Sequence, residues 1–226
     1  GEAAPEFSDS LEQNVRTTLE GRGIEPRIVE KMVDTLKNSN ADGITLANRL
    51  LNDQYSSVKG YDDLIKKASI DHQSIRAINQ ALDKADSLIS NGTPVERLQF
   101  EYNPSKFEDV DVGVLREGAT EGQFEEAYQF KTNTELLSKN SLGSASKQLM
   151  DADADLRVAE FRLIEGDSIS RIQDDPKIRK EMEYWLHRKA SSSRPTTMDE
   201  FHLVTHDGTK TIVTFEDGAL KFSTAP

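Results

Sequence analysis

In residues 8–55 the apolar side chains recur at steps of three and four, the spacing of a helix with one buried face. The positions are Leu11, Val15 and Leu19, then Val29, Met32, Val33 and Leu36. Gly21, Gly23 and Pro26 separate the two stretches, and a shorter helix is expected from about Thr45 to Leu51. The segment 56–70 is a polar stretch around Gly60 and Tyr61. Asp71 stands where an N-cap belongs, ahead of Ile75, Ile78, Leu82, Ala85 and Ile89, a stripe that predicts a long helix. Asn91-Gly92 closes it.

From Pro94 the period drops to two. Leu98, Phe100 and Tyr102 alternate with Gln99 and Glu101 and predict a first strand, followed by a loop at Asn103-Pro104. Val110, Val112 and Val114 alternate with Asp109, Asp111 and Gly113 and predict a second. Beyond the Gly118–Gly122 loop a third runs from Glu126 to Thr132. A helix is expected from about Ser144 to Leu156, with Ala145, Leu149, Ala152 and Leu156 on one face, and a fourth strand at Ala159–Ile164. Asp175-Pro176 opens another helix, whose stripe is Ile178, Met182, Trp185 and Leu186. Ser191–Thr197 reads as a linker. Asp207-Gly208 and Asp217-Gly218 mark two hairpins joining Phe201–Val204, Thr211–Phe215 and Leu220–Phe222.

The pattern predicts an α/β fold: a central mixed sheet, an N-terminal helical region and a C-terminal β-hairpin appendage. The expected boundaries are 1–7, which reads as a cloning scar on an excised fragment, 8–60 for the helical region, 71–190 for the core and 191–226 for the appendage. At 226 residues the chain is long enough to bury a sizeable core. No apolar run reaches the length of a membrane span. Cysteine is absent, which excludes disulfides, zinc–thiolate sites and cysteine nucleophiles. The net charge of −12 argues against a broad surface that coats nucleic acid. Phosphate would have to be met locally, by a few basic side chains such as Lys131, Lys139 and Lys147 and by a metal.

Chemistry concentrates on the second and third strands. Strand parity puts Asp109 and Asp111 on one face, and Gln129 and Lys131 on one face of the next strand. If the two strands pair, two carboxylates, an amide and a lysine converge. Carboxylate and carbonyl oxygens suit Mg²⁺ or Mn²⁺. A lysine beside such a metal offsets charge on a phosphate under attack. Of the four histidines, His202 and His206 have the spacing that pairs imidazoles on a helix, but they fall on a strand entering a turn. His72 and His187 carry no recognisable motif.

The stretches Asp109-Val-Asp-Val-Gly-Val114 and Ala127-Tyr-Gln-Phe-Lys131 resemble the PD-(D/E)XK, or restriction-endonuclease-like, nucleases. In that family an acidic residue begins the second strand and an acid-x-Lys motif sits on the third. The resemblance implies an α-β-β-β-α-β core with Asp111, Gln129 and Lys131 catalytic and a Mg²⁺ or Mn²⁺ ion held by Asp111, Gln129 and Asp109. Gln129 replaces the usual Glu or Asp, a variant similar to that of Mrr-like nucleases. Asp109, or Asp83 or Asp86 of the preceding helix, would make up the missing charge, and Lys147 and Gln148 would support the site at the phosphate. The implied substrate is nucleic acid, DNA ahead of RNA. By analogy the setting is the toxin domain of a secreted bacterial effector delivered into a target-cell cytoplasm, or a cytoplasmic enzyme, with a cognate inhibitor as second partner and no membrane role. The rival expectation is a non-enzymatic acidic protein, an inhibitor or adaptor docking on a basic partner.

Overall fold

A computed structural model describes residues 6–187 and 198–226. Most of the expected scar, residues 1–5, and the Ser191–Thr197 linker lie outside the described residues. The chain forms two compact units, Gly1–Phe100 and Glu101–Pro226. The long helix expected with the strands therefore belongs to the first unit.

The first unit is helical: α1 (Asp9–Gly21), α2 (Pro26–Lys37), α3 (Asn40–Leu50), α4 (Tyr61–Lys66) and α5 (His72–Ser90). Ser8 caps α1 by accepting from the Leu11 N–H, and Pro26 opens α2 at a position where its missing N–H is not needed. The expected stripe is buried throughout α2, while in α1 Val15 and Leu19 are buried and Leu11 only half so. Helix α3 begins five residues before the expected start. Gly43, which lowers helix propensity on paper, is what permits it: a Cβ there would lie 1.9 Å from the Leu36 carbonyl oxygen, so α2 and α3 approach backbone to backbone.

The polar stretch 56–70 also contains a helix, α4, with Tyr61, Leu64 and Ile65 buried. It starts from Gly60, whose φ of +82° and contact with the Phe100 carbonyl exclude any side chain. In α5 the cap is Asp71, accepting from the Ser74 N–H at 2.8 Å. Ile75, Ile78, Leu82 and Ala85 are buried as the spacing predicts, with Leu88 rather than Ile89 completing the face.

The second unit is built on a seven-stranded mixed sheet among the described residues, in chain order from β1 to β7. Strand β1 (Leu98–Ser105) enters from the first unit. It is followed by β2 (Glu108–Leu115), β3 (Gln123–Thr132), α6 (Lys139–Gln148) and β4 (Asp153–Arg162). Then come α7 (Ile169–Asp174), α8 (Pro176–Leu186), β5 (Glu200–Val204), β6 (Lys210–Glu216) and β7 (Ala219–Thr224). β2 and β3 are antiparallel. β3, β4 and β5 are parallel, and β5, β6 and β7 are antiparallel. The C-terminal hairpins thus continue the central sheet instead of hanging from it as an appendage.

The helix expected over Ser144–Leu156 is displaced. Helix α6 ends at Gln148, and the following residues enter β4. Asp151, Asp153 and Asp155 alternate with the buried Ala152 and Ala154, so the local period is two. Ala–Asp alternation satisfies a strand because aspartate competes poorly for a helix interior. Side chains from α6, its C-cap Leu149 and α8, among them Leu142, Met182 and Trp185, form one core with Phe124, Ala127, Phe161 and Phe201 of the strands. That packing fixes α6 over β3.

Candidate functional site

The β2–β3 ladder runs through Val112↔Tyr128, Gly113↔Ala127 and Val114↔Glu126. One step further along it stand Asp111 and Gln129. Gly113 sets how β2 meets its surroundings, because the Phe124 ring occupies the space of its missing side chain; a Cβ there would come 2.2 Å from the ring. Asp111 takes up a backbone partner with its side chain: Oδ2 accepts from the Phe130 N–H at 2.8 Å. This charge-assisted bond fixes the carboxylate against β3.

Gln129 is 3 % exposed. One atom of its side-chain amide lies 3.0 Å from Asp111 Oδ1, 2.7 Å from Oδ2 and 3.2 Å from the Asp109 carbonyl oxygen. The amide nitrogen takes that position and donates to all three, tying the Asp111 carboxylate and the Asp109 backbone to β3. A divalent ion here would be held by the carboxylates of Asp109 and Asp111, with the Gln129 amide turned to present its oxygen. The other end of the Gln129 amide is 2.8 Å from Gln148 Oε1, and Gln148 Nε2 reaches Asp109 Oδ2 at 3.5 Å. One hydrogen-bonded group thus joins Asp109, Asp111, Gln129 and Gln148. Among the described residues no three His, Cys, Asp or Glu side chains gather as a metal site.

No protein-family model matches this chain, and no curated protein or solved structure matches it either.

Lys131 lies on the same face of β3 as Gln129, two residues and about 7 Å further along. It is half-buried and, among the described residues, has no ion-pair partner. It lines a recess of about 260 Å³ together with Thr132, Thr134, Ser138, Ser141 and Ser144, with Glu135 also at the wall. Two clamps hold the ends of this exposed loop. The Asn133 N–H donates to the Arg162 carbonyl at 2.9 Å. The Leu137 N–H donates to Asp167 Oδ2 at 2.8 Å, while Arg171 donates to the Leu137 carbonyl at 2.9 Å and to Asp167 Oδ1 at 2.7 Å. Burial pushes the Asp167 carboxyl up, but Arg171 and the Leu137 and Ser168 N–H groups more than offset it and leave it below its ordinary value. The sequence reading passed over Asp167 and Arg171. Their i, i+4 spacing across the start of α7 was visible, but their hold on Leu137 is a contact across the fold.

The remaining candidates separate. Gln148 joins the site; Lys147, its neighbour on α6, is exposed, as is Lys139. Asp83 and Asp86 sit on α5 and engage their own unit: Arg49 pairs with both, and the Tyr55 hydroxyl donates to Asp86 at 2.5 Å. His206 lies in the turn after β5, and His187 packs on the Phe215 ring at 4.5 Å.

A second buried polar cluster escaped the sequence reading. Glu160 pairs in register with Phe130, which places it on the sheet face opposite Lys131. There His202 contacts Glu200 at 2.6 Å and Glu160 at 3.7 Å, and Lys210 contacts Glu160 at 2.9 Å. Burial pushes the Glu160 carboxyl up, yet His202 and Lys210 hold it at about 2.

Proposed function

We propose that this protein is a divalent-metal-dependent nuclease that hydrolyses nucleic-acid phosphodiester bonds, with Asp111, Gln129 and Lys131 at its centre. The observation that carries the reading is the shared face: the Gln129 amide bonds the Asp111 carboxylate across the β2–β3 pair, Asp109 lies on the same face of β2, and Lys131 follows two residues later on β3. The chain order α5, β1, β2, β3, α6, β4, with β4 parallel to β3, supports the resemblance to PD-(D/E)XK nucleases. Among the described residues no helix is long and apolar enough to cross a membrane.

Mg²⁺ or Mn²⁺ bound here would supply Lewis acidity and a metal-activated water. Asp111 gives the site its anchoring charge, oriented by the Phe130 N–H. Gln148 fixes the Gln129 amide from behind, a supporting contact of the kind that tunes metal affinity. Lys131 meets the phosphate and stabilises the charge that develops there. Hydroxyls of the adjoining recess receive the neighbouring backbone, since serine and threonine are common phosphate partners. With a net charge of −12, the protein engages few phosphates, and its affinity falls only shallowly with salt. As a toxin domain it would require a cognate inhibitor.

The deciding experiment is cleavage of supercoiled plasmid, single-stranded DNA and RNA with Mg²⁺ or Mn²⁺, with and without chelator. Cleavage that stops on chelation supports the nuclease. The charge of −12 favours the rival reading, an acidic binder for a basic partner, and absence of cleavage on every substrate and metal would favour it in turn.

A further inference from the structure

The loop 133–138 forms one wall of the recess beside Lys131. Its middle residues, Thr134, Glu135 and Leu136, are exposed, so its shape is set by its two ends and not by packing. The first end is a backbone bond, from the Asn133 N–H to the Arg162 carbonyl of β4. The second is Leu137, whose side chain is buried in the core of the second unit.

At Leu137 the backbone meets side chains. Asp167 accepts from its N–H, and Arg171 donates to its carbonyl. Two further bonds join the pair to each other, from Arg171 Nε to Asp167 Oδ1 at 2.7 Å and from Arg171 Nη2 to Oδ2 at 3.0 Å. The Asp167 side chain is wholly buried. A buried ion pair is a poor source of stability, because desolvation cancels much of its attraction. What these four directed bonds supply is geometry: both hydrogen-bonding groups of one loop residue are fixed at once. Neighbouring parts have locks of their own. The capping box of Ser138 and Ser141 holds the start of α6, and Lys131 stands on β3, in register with Phe161 of β4. Release of the clamp would therefore free the loop without unwinding the helix or shifting the lysine.

We infer that Asp167 and Arg171 are positioning residues for nucleic-acid binding: they hold the 133–138 loop so that the recess beside Lys131 is formed before the strand arrives. The inference rests on the nuclease reading and adds this pair to it. A loop already ordered need not be ordered on binding, so the pair contributes to affinity. The chemical step belongs to Asp111, Gln129 and Lys131 on the paired strands and should keep its rate when the clamp is lost.

The test compares the parent with Arg171→Lys, which keeps a cation beside Asp167, and with Asp167→Asn combined with Arg171→Gln, which leaves no buried charge unpaired. KM and kcat are measured on a single-stranded DNA oligonucleotide, plasmid or RNA, whichever the parent cleaves. The double variant should raise KM about threefold to tenfold and leave kcat within about twofold of the parent. Arg171→Lys should fall between the two. Amide hydrogen exchange, followed with chelator and no substrate, should quicken at Leu137 and its loop neighbours while β3 keeps its protection. If the double variant does not fold, Arg171→Lys decides by the same readouts. A parent-like KM in every folded variant overturns the inference. So does a fall in kcat with KM unchanged, which is the mark of fewer folded molecules, and so does unchanged exchange at Leu137. A parent that cleaves nothing refutes the nuclease reading and this inference with it; a cleaving parent whose variants keep its KM refutes the inference alone.

Discussion

The Asp111 carboxylate accepts a hydrogen bond from the Phe130 N–H at 2.8 Å, so one side chain both anchors the candidate metal site and closes the end of the β2–β3 ladder. These roles separate by substitution. Asp111→Ala removes the acceptor as well as the charge and should cost about 1–3 kcal/mol of stability. Asp111→Asn keeps an oxygen for the Phe130 N–H and loses the charge. We expect it to fold like the parent but to lose the rise in melting temperature that Mg²⁺ or Mn²⁺ gives through linkage. A preserved metal response in Asp111→Asn would remove this residue from the metal site.

Gln129→Glu replaces the donating amide with a second carboxylate facing Asp111. Metal affinity should increase, read by calorimetric titration with Mn²⁺. Without metal the variant should be less stable, because two carboxylates then face each other at about the separations now spanned by the amide. Weaker Mn²⁺ binding in the variant would contradict this geometry.

Gly113→Ala tests the packing beneath the site. Its methyl group would collide with the Phe124 ring, which is wholly buried and set edge-on to Tyr102. The expected loss is about 1–3 kcal/mol in denaturant unfolding, with weaker metal binding as β2 shifts. Parent-like stability would show that the strand yields at no cost.

The two strands that carry the site were legible in the sequence because their side-chain parity is local: Asp109, Asp111, Gln129 and Lys131 needed only the pairing of β2 with β3. The stripe of α5 and the Asp-Gly turns were legible for the same reason. Helix α4 and the early start of α3 were not, since each depends on a glycine whose contact lies on another element, Gly60 with Phe100 and Gly43 with Leu36. The end of α6 was misjudged because Ala152 and Leu156 also suit a helical stripe, and only the alternating aspartates argue for a strand. Gln148 was named as a phosphate contact; its bonds to Gln129 and Asp109 instead make it a support for the site. The Glu160–His202–Lys210 cluster unites three strands and has no local motif.

That cluster sets a pH dependence. The Glu160 carboxyl, at about 2 in the folded protein, lies below its unfolded value of about 4.3. Its stabilising contribution is therefore present above about pH 4.3 and is lost as pH falls toward 2. Unfolding free energies of the parent and of Glu160→Gln should converge over that interval. A difference between them that stays constant from pH 5 to pH 2 would show that Glu160 does not titrate as this environment requires.

The most direct measurement is the cleavage rate of Lys131→Ala. Lys131 shares the face of β3 with Gln129 without bonding to the Asp111–Gln129 pair, so its removal should leave folding and the metal-induced rise in melting temperature intact. The rate on single-stranded DNA, plasmid or RNA should fall on the order of a hundredfold or more. Lys131→Arg should recover little, because the planar guanidinium is not a compact donor. A Lys131→Ala protein that cleaves as fast as the parent would contradict the account at its centre.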